Sequence, residues 1–137
     1  MSDWFFITRN VESINRHIDK GLCYVDIEGD LIKDSNSLFL EMSEKLKFPE
    51  YFGKNWNALQ DCLRDLEWIP SDYGYIIIWS NASIMMMTSP DEFFEFMNIL
   101  QYVNEYWSGI GKIFKLIVFD EKFCTIYELF KDGKIIT

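Results

Sequence analysis

The chain has 137 residues, of which 49% are hydrophobic and 18% aromatic. That content excludes a disordered polymer, which lacks the apolar surface to offset its ordering entropy, and 7 Gly with 3 Pro exclude collagen-like and Pro-rich classes. Lys and Arg number 13 against 22 Asp and Glu, a net charge of −9; a surface of that sign repels nucleic acid and anionic lipid and favours a basic partner.

Trp4 to Ile7 is a short aromatic and β-branched run that predicts a strand. Asn10 caps a short helix burying Ile14 and Ile18, and Gly21 supplies its left-handed stop. Leu22 to Ile27 predicts a second strand, ended by Glu28-Gly29-Asp30. Asp34 or Ser35 opens a helix with Leu38, Phe39, Met42 and Leu46 on one face. Pro49 and Gly53 bracket a loop from Phe48 to Lys54. Asn55 caps the next helix, expected to run to about Trp68 before Pro70.

Tyr75 to Trp79 is apolar without alternation, the pattern of a strand buried on both faces of a parallel sheet. Met85-Met86-Met87 is either a soft binding patch or, more simply, a gap filler between sheet and helix. Ser89-Pro90-Asp91-Glu92 predicts a helix start with Ser89 as N-cap, Pro90 at the first position and Glu92 closing a capping box. That helix runs to about Trp107, burying Phe93, Phe96, Met97, Leu100 and Val103. Ile113 to Phe119 is another nearly continuous apolar strand. Thr125 to Phe130 and Lys134 to Ile136 flank Lys131-Asp132-Gly133, as in a closing β-hairpin. Strands alternating with helices imply an α/β fold: a small, mostly parallel sheet packed with helices, with extra β segments at the termini. The expectation is one domain spanning residues 1–137.

Cys23, Cys62 and Cys124 are widely spaced and odd in number, which fits buried thiols in a reducing compartment. With His17 the lone histidine, zinc ligation has little support. No secretory signal is visible at the N-terminus, and no apolar string approaches the length of a membrane span. The chain reads as cytoplasmic and soluble. Nucleophile-elbow and phosphate-loop patterns are absent. No cofactor is implied. An acid pair such as Asp61 and Asp65, with Glu67, would be needed for a metal-assisted hydrolase, but the three do not all point one way from a single helix.

The helix from Asn55 divides into two stripes. Leu59, Cys62, Leu63 and Leu66 fall at i, i+3, i+4 and i+7 and face the core. Asn57, Gln60, Asp61 and Arg64 fall at the same intervals on the opposite side. The simplest reading is a hydrated outer face. Together with the preceding Pro49-Glu50-Tyr51-Phe52-Gly53, it also has the composition of a protein-binding patch.

Phe48 to Leu66, F-P-E-Y-F-G-K-N-W-N-A-L-Q-D-C-L-R-D-L, closely resembles the signature of the barstar family, inhibitors of the ribonuclease barnase. A weaker resemblance covers the order of elements from about Leu22 to Phe119. Residues 1–21 and 120–137 lie outside it, as terminal extensions. The resemblance implies a small parallel sheet packed with helices, and an inhibitor rather than an enzyme. Its partner would be a basic microbial ribonuclease or toxin nuclease domain, with no nucleic acid or membrane contact of its own. Position by position it implies partner contacts at Tyr51 and Asn55, with Asp61 occupying the place of a substrate phosphate. Three positions depart from the family: Asn57 stands for a second aspartate, Gln60 for a tryptophan and Arg64 for a threonine. The departures point away from barnase toward a related nuclease, or toward a partner of another kind. Glu105, on the later acidic helix, matches a further partner contact.

Overall fold

The computed structural model describes residues 4–8, 12, 14–15, 21–120 and 134–135. In chain order the elements are β1 (Phe5–Thr8), β2 (Cys23–Glu28), a 3-10 turn (Gly29–Leu31), α1 (Ser35–Lys45), α2 (Trp56–Asp65), β3 (Gly74–Ser80), α3 (Ser83–Thr88), α4 (Pro90–Gly109), β4 (Ile113–Phe119) and β5 (Lys134–Ile135). The strands form one sheet in the order β2-β3-β4-β1-β5. Every pairing in it is parallel.

The direction of travel across the sheet decides where the helices lie. The chain steps from β2 to β3 to β4 in one direction, so right-handed crossovers put their helices on one face. On that face Leu38, Met42, Leu59, Leu63, Phe96 and Leu100 pack with Tyr75, Ile77, Trp79 and Leu116. The step from β1 to β2 runs back the other way, and the described apolar residues between them lie on the opposite face. There Ile14 and Leu22 join Phe6, Ile76, Ile78 and Ile117. Strand β3 is thus covered on both sides, which its unalternating sequence requires. At its start Gly74 has φ +130° and a Cβ there would lie 1.9 Å from the Ile113 carbonyl oxygen, so the close approach of β3 to β4 demands glycine.

Several expectations need correction in detail. Helix α2 ends at Asp65 rather than near Trp68, because Leu66 adopts a left-handed conformation (φ 49°) while its N–H still bonds Cys62. This buries Leu66 and turns Trp68 back, so that its indole donates to the Leu46 carbonyl at 2.9 Å. Ser89 precedes Pro90 as predicted but makes no side-chain cap. Glu92 instead accepts from the Ser35 N–H at 3.1 Å, tying α4 to the start of α1. The methionine run forms the short helix α3, with Met85 and Met86 buried and Met87 exposed.

Each terminal segment contributes one described strand to the sheet. β1 lies between β4 and β5, with Phe5 opposite Leu116 and Phe6 opposite Lys134. Lys134–Ile135 therefore pairs in parallel with β1, while the rest of the expected hairpin, with Cys124, His17 and Ile18, lies outside the described residues. Asp120, at the edge of the C-terminal extension, is buried and accepts from the Ser83 N–H at 2.8 Å, closing the start of α3.

Candidate functional site

The loop before α2 is shaped by its aromatic residues. Phe48 and Phe52 are buried and meet edge-on, 4.9 Å between ring centroids. Phe52 also meets Phe39 of α1, and Phe39 meets Trp56 at the start of α2. The Phe52 N–H bonds the Pro49 carbonyl at 3.0 Å, closing a turn. With both phenylalanines turned inward, Tyr51 at the turn faces solvent and is 76% exposed. Asn55 then starts the helix. Its side-chain oxygen accepts from the Ala58 N–H at 2.8 Å, and its amide donates to the Gly53 carbonyl at 3.3 Å. One residue thus caps α2 and fixes the loop beside it.

Helix α2 presents the stripe its sequence predicts. Leu59, Cys62 and Leu63 are buried; Asn57 and Asp61 are exposed, and Gln60 and Arg64 are half-buried. Burial pushes the Cys62 thiol above its usual range, reinforced by the charges of Asp61 and Asp65, which suits an inert core thiol. The far end of α2 is held from α4: the buried Trp107 indole donates to the Leu63 carbonyl at 2.9 Å. That bond satisfies one of the carbonyls a helix leaves open in its last turn.

Asp61 and Arg64 form a pair. Arg64 Nη2 donates to Asp61 Oδ1 at 2.7 Å, with the side chains 31% and 71% exposed for Arg64 and Asp61. Two residues of α4 hold the arginine. Its guanidinium carbon lies 5.4 Å from the Tyr102 ring centroid and 5.9 Å from that of Tyr106. Nη1 reaches the Tyr102 hydroxyl at 3.5 Å. Both tyrosines also remain exposed at their outer edges, by 47% and 42%. The Asp61 carboxylate is therefore a presented anion held by a neighbouring cation.

Tyr51, Asn55, Asn57, Gln60, Asp61 and Arg64 thus share the loop and outer face of α2. Glu105 is exposed on α4 in the turn that carries Tyr102 and Tyr106. Sequence reasoning missed the two tyrosines. Their i, i+4 spacing off the buried stripe of Phe96, Leu100, Val103 and Trp107 was the available signal. Asp61, Asp65 and Glu67 do not converge: among the described residues no group of three or more His, Cys, Asp or Glu could hold a metal ion. No helix among the described residues is long and apolar enough to cross a membrane.

Two comparisons bear on this surface. The family described as Barstar (barnase inhibitor) matches residues 23–118, from the start of β2 to the end of β4. No curated protein matches the chain.

Proposed function

The chain belongs to the barstar (barnase inhibitor) family, and we propose that it binds and blocks the active site of a basic ribonuclease or nuclease toxin, as an immunity protein in the cytoplasm. Members of this family are inhibitors rather than enzymes. The observation that carries the reading is the exposed Asp61 carboxylate, held on the outer face of α2 with Tyr51 exposed at the loop before it. A cleft that grips phosphate gathers cationic donors, and a fixed carboxylate meets the same donors with charge-assisted hydrogen bonds. Because the aspartate is held before binding, little ordering entropy is lost on association. The net charge of −9 attracts a basic partner and speeds encounter. Tyr51, Asn55, Asn57 and Gln60 form the rest of the α2 contact, and Glu105 extends it onto α4.

The test is protection of RNA from a panel of basic microbial ribonucleases, including any toxin encoded beside this gene. Wild type should inhibit at least one. Asp61→Ala should bind at least about thirtyfold more weakly, the loss of roughly 2 kcal/mol expected for a central interface residue, with its fold intact by circular dichroism. Added salt should weaken wild-type binding. A second reading, a barstar-fold module for a partner that is not a ribonuclease, is favoured by Arg64, whose charge offsets that of Asp61. Absence of protection across the panel, with wild type folded, would replace the first reading with the second.

A further inference from the structure

Strand β2 ends the sheet beside β3, with no described strand on its other side. Successive residues of a strand turn their N–H and C=O to opposite sides, so only alternate residues serve the neighbouring strand. Two hydrogen bonds fix which residues those are. The Ile27 carbonyl accepts from the Ser80 hydroxyl of β3 at 3.4 Å, whereas the Glu28 N–H donates to Glu41 of α1 at 2.8 Å. Cys23, Val25 and Ile27 therefore bond β3, and Tyr24, Asp26 and Glu28 turn their backbone groups to the open edge. Glu41, buried and paired with Lys45, closes that edge at Glu28 only. On the same edge the Tyr24 and Asp26 backbone groups have no partner among the described residues.

An open edge is a template for another strand, held by main-chain hydrogen bonds and selected by side chains at alternate positions. The side chains of Tyr24, Asp26 and Glu28 lie on one face of the sheet, Tyr24 across from Ile76 and Asp26 across from Ile78. All three are exposed, Tyr24 by 53%. Asp26 and Glu28 make no ion pair among the described residues. Opposite charges directly across two strands stabilise the pairing and like charges oppose it. Carboxylates at alternate positions thus fit a strand with Lys or Arg at alternate positions, and the Tyr24 ring offers apolar area at one end of the row. The same rule disfavours a second copy of this chain. A two-fold antiparallel pairing that uses the whole of β2 sets Asp26 opposite or next to its own counterpart.

We propose that the open edge of β2 is a second docking surface of this chain, which takes an extended basic segment of a partner protein as an added strand. It is built from residues other than those of the α2 face, and it stands whether or not the chain inhibits a ribonuclease.

The probe is a synthetic peptide as long as β2 in which Lys and Thr alternate; its control carries Glu in place of each Lys. Amide hydrogen exchange of the full chain is followed by NMR as each peptide is added to saturation. The Lys peptide should slow exchange at Tyr24 and Asp26 at least about tenfold, because an amide in a ladder exchanges only when the ladder opens. The Glu peptide should not. Tyr24→Pro removes one outward donor at a position where an edge strand tolerates proline. It should weaken the Lys peptide at least about fivefold, the change expected for one hydrogen bond. Asp26→Lys combined with Glu28→Lys keeps every backbone group and should exchange the preferences, so that the Glu peptide protects the edge and the Lys peptide does not. Thermal unfolding checks that the variants fold, and the charge reversal decides the matter if the proline variant does not. No protection at Tyr24 and Asp26, or protection confined to the α2 face around Asn57 and Asp61, would overturn the edge as a docking surface. Equal protection by both peptides, or a preference that survives the charge reversal, would overturn the basic partner.

Discussion

Helix α2 is organised by different physics at its two ends. At the N-terminal end, the exposed residues are positioned by rings buried beneath the loop and by the helix cap. Phe48 and Phe52 are buried beneath the loop, Asn55 caps the helix, and Tyr51 is carried outward as a consequence. At the C-terminal end, the exposed residues position one another: Asp61 is held by Arg64, and Arg64 by Tyr102 and Tyr106. The lesson is that substitutions mean different things in the two regions. A change at Tyr51 alters what is presented and leaves its placement alone. A change at Arg64 alters charge and geometry together, so the C-terminal end is where specificity can shift with few mutations.

The strongest way to break this contrast is to attack the anchors of the N-terminal end. Phe52→Ala removes a buried ring that touches Phe48 and Phe39, and should cost about 3–5 kcal/mol in urea unfolding. Tyr51→Ala, one residue away, should change stability by less than about 0.5 kcal/mol while weakening inhibition. If Phe52→Ala cost under about 1 kcal/mol, the ring cluster would not be what sets the loop.

At the other end, Trp107→Phe tests whether α4 supports α2 through one buried hydrogen bond. The variant keeps an aromatic ring but deletes the donor to the Leu63 carbonyl. An unsatisfied buried carbonyl should cost about 1–3 kcal/mol. Because Tyr106 also packs against Trp107, 5.4 Å between centroids, the clamp on Arg64 should loosen as well. Binding should therefore weaken although neither Asp61 nor Arg64 has been changed. Loss of stability with unchanged affinity would mean that the clamp is held by its own contacts alone.

Local patterns made much of the fold legible. The apolar runs of β3 and β4, the spacing of Leu38, Phe39, Met42 and Leu46, and Pro90 at the head of α4 all state their structure within a few residues. The errors lie where a distant contact outbid the local pattern. Glu92 was free to close a capping box but reached Ser35 instead. Leu66 ends α2 in a left-handed conformation that sequence rules reserve for Gly or Asn, because its burial in the core offsets the backbone strain. The site divides in the same way. The outer stripe of α2 was readable, since burying Leu59, Cys62 and Leu63 leaves Asn57 and Asp61 one way to face. The Asp61–Arg64 pair is compatible with its i, i+3 spacing, yet Tyr102 and Tyr106, which fix it, lie some forty residues onward and come into place only through the packing of α2 on α4.

The finest test compares the neutral cap at the N-terminal end of α2 with the charged cap of α1. Asn55→Ala and Asp34→Ala should each cost about 1 kcal/mol at neutral pH, since each removes a side-chain acceptor from a helix start. Their pH dependence should differ. The Ser37 backbone N–H, helped by the Ser37 hydroxyl, holds the Asp34 carboxyl below the usual carboxylate range. A carboxyl whose folded-state pKa is lowered contributes stability above its unfolded pKa and loses it as pH falls through the folded one. The penalty of Asp34→Ala should therefore shrink as pH drops below about 4, whereas the penalty of Asn55→Ala should stay constant, because an amide does not titrate. Thermal unfolding of both variants across that range is the measurement. A penalty at Asn55 that fell with pH alongside Asp34 would show that the loop leans on a titrating group beyond its rings and its cap, and the contrast between the two ends of α2 would narrow to that extent.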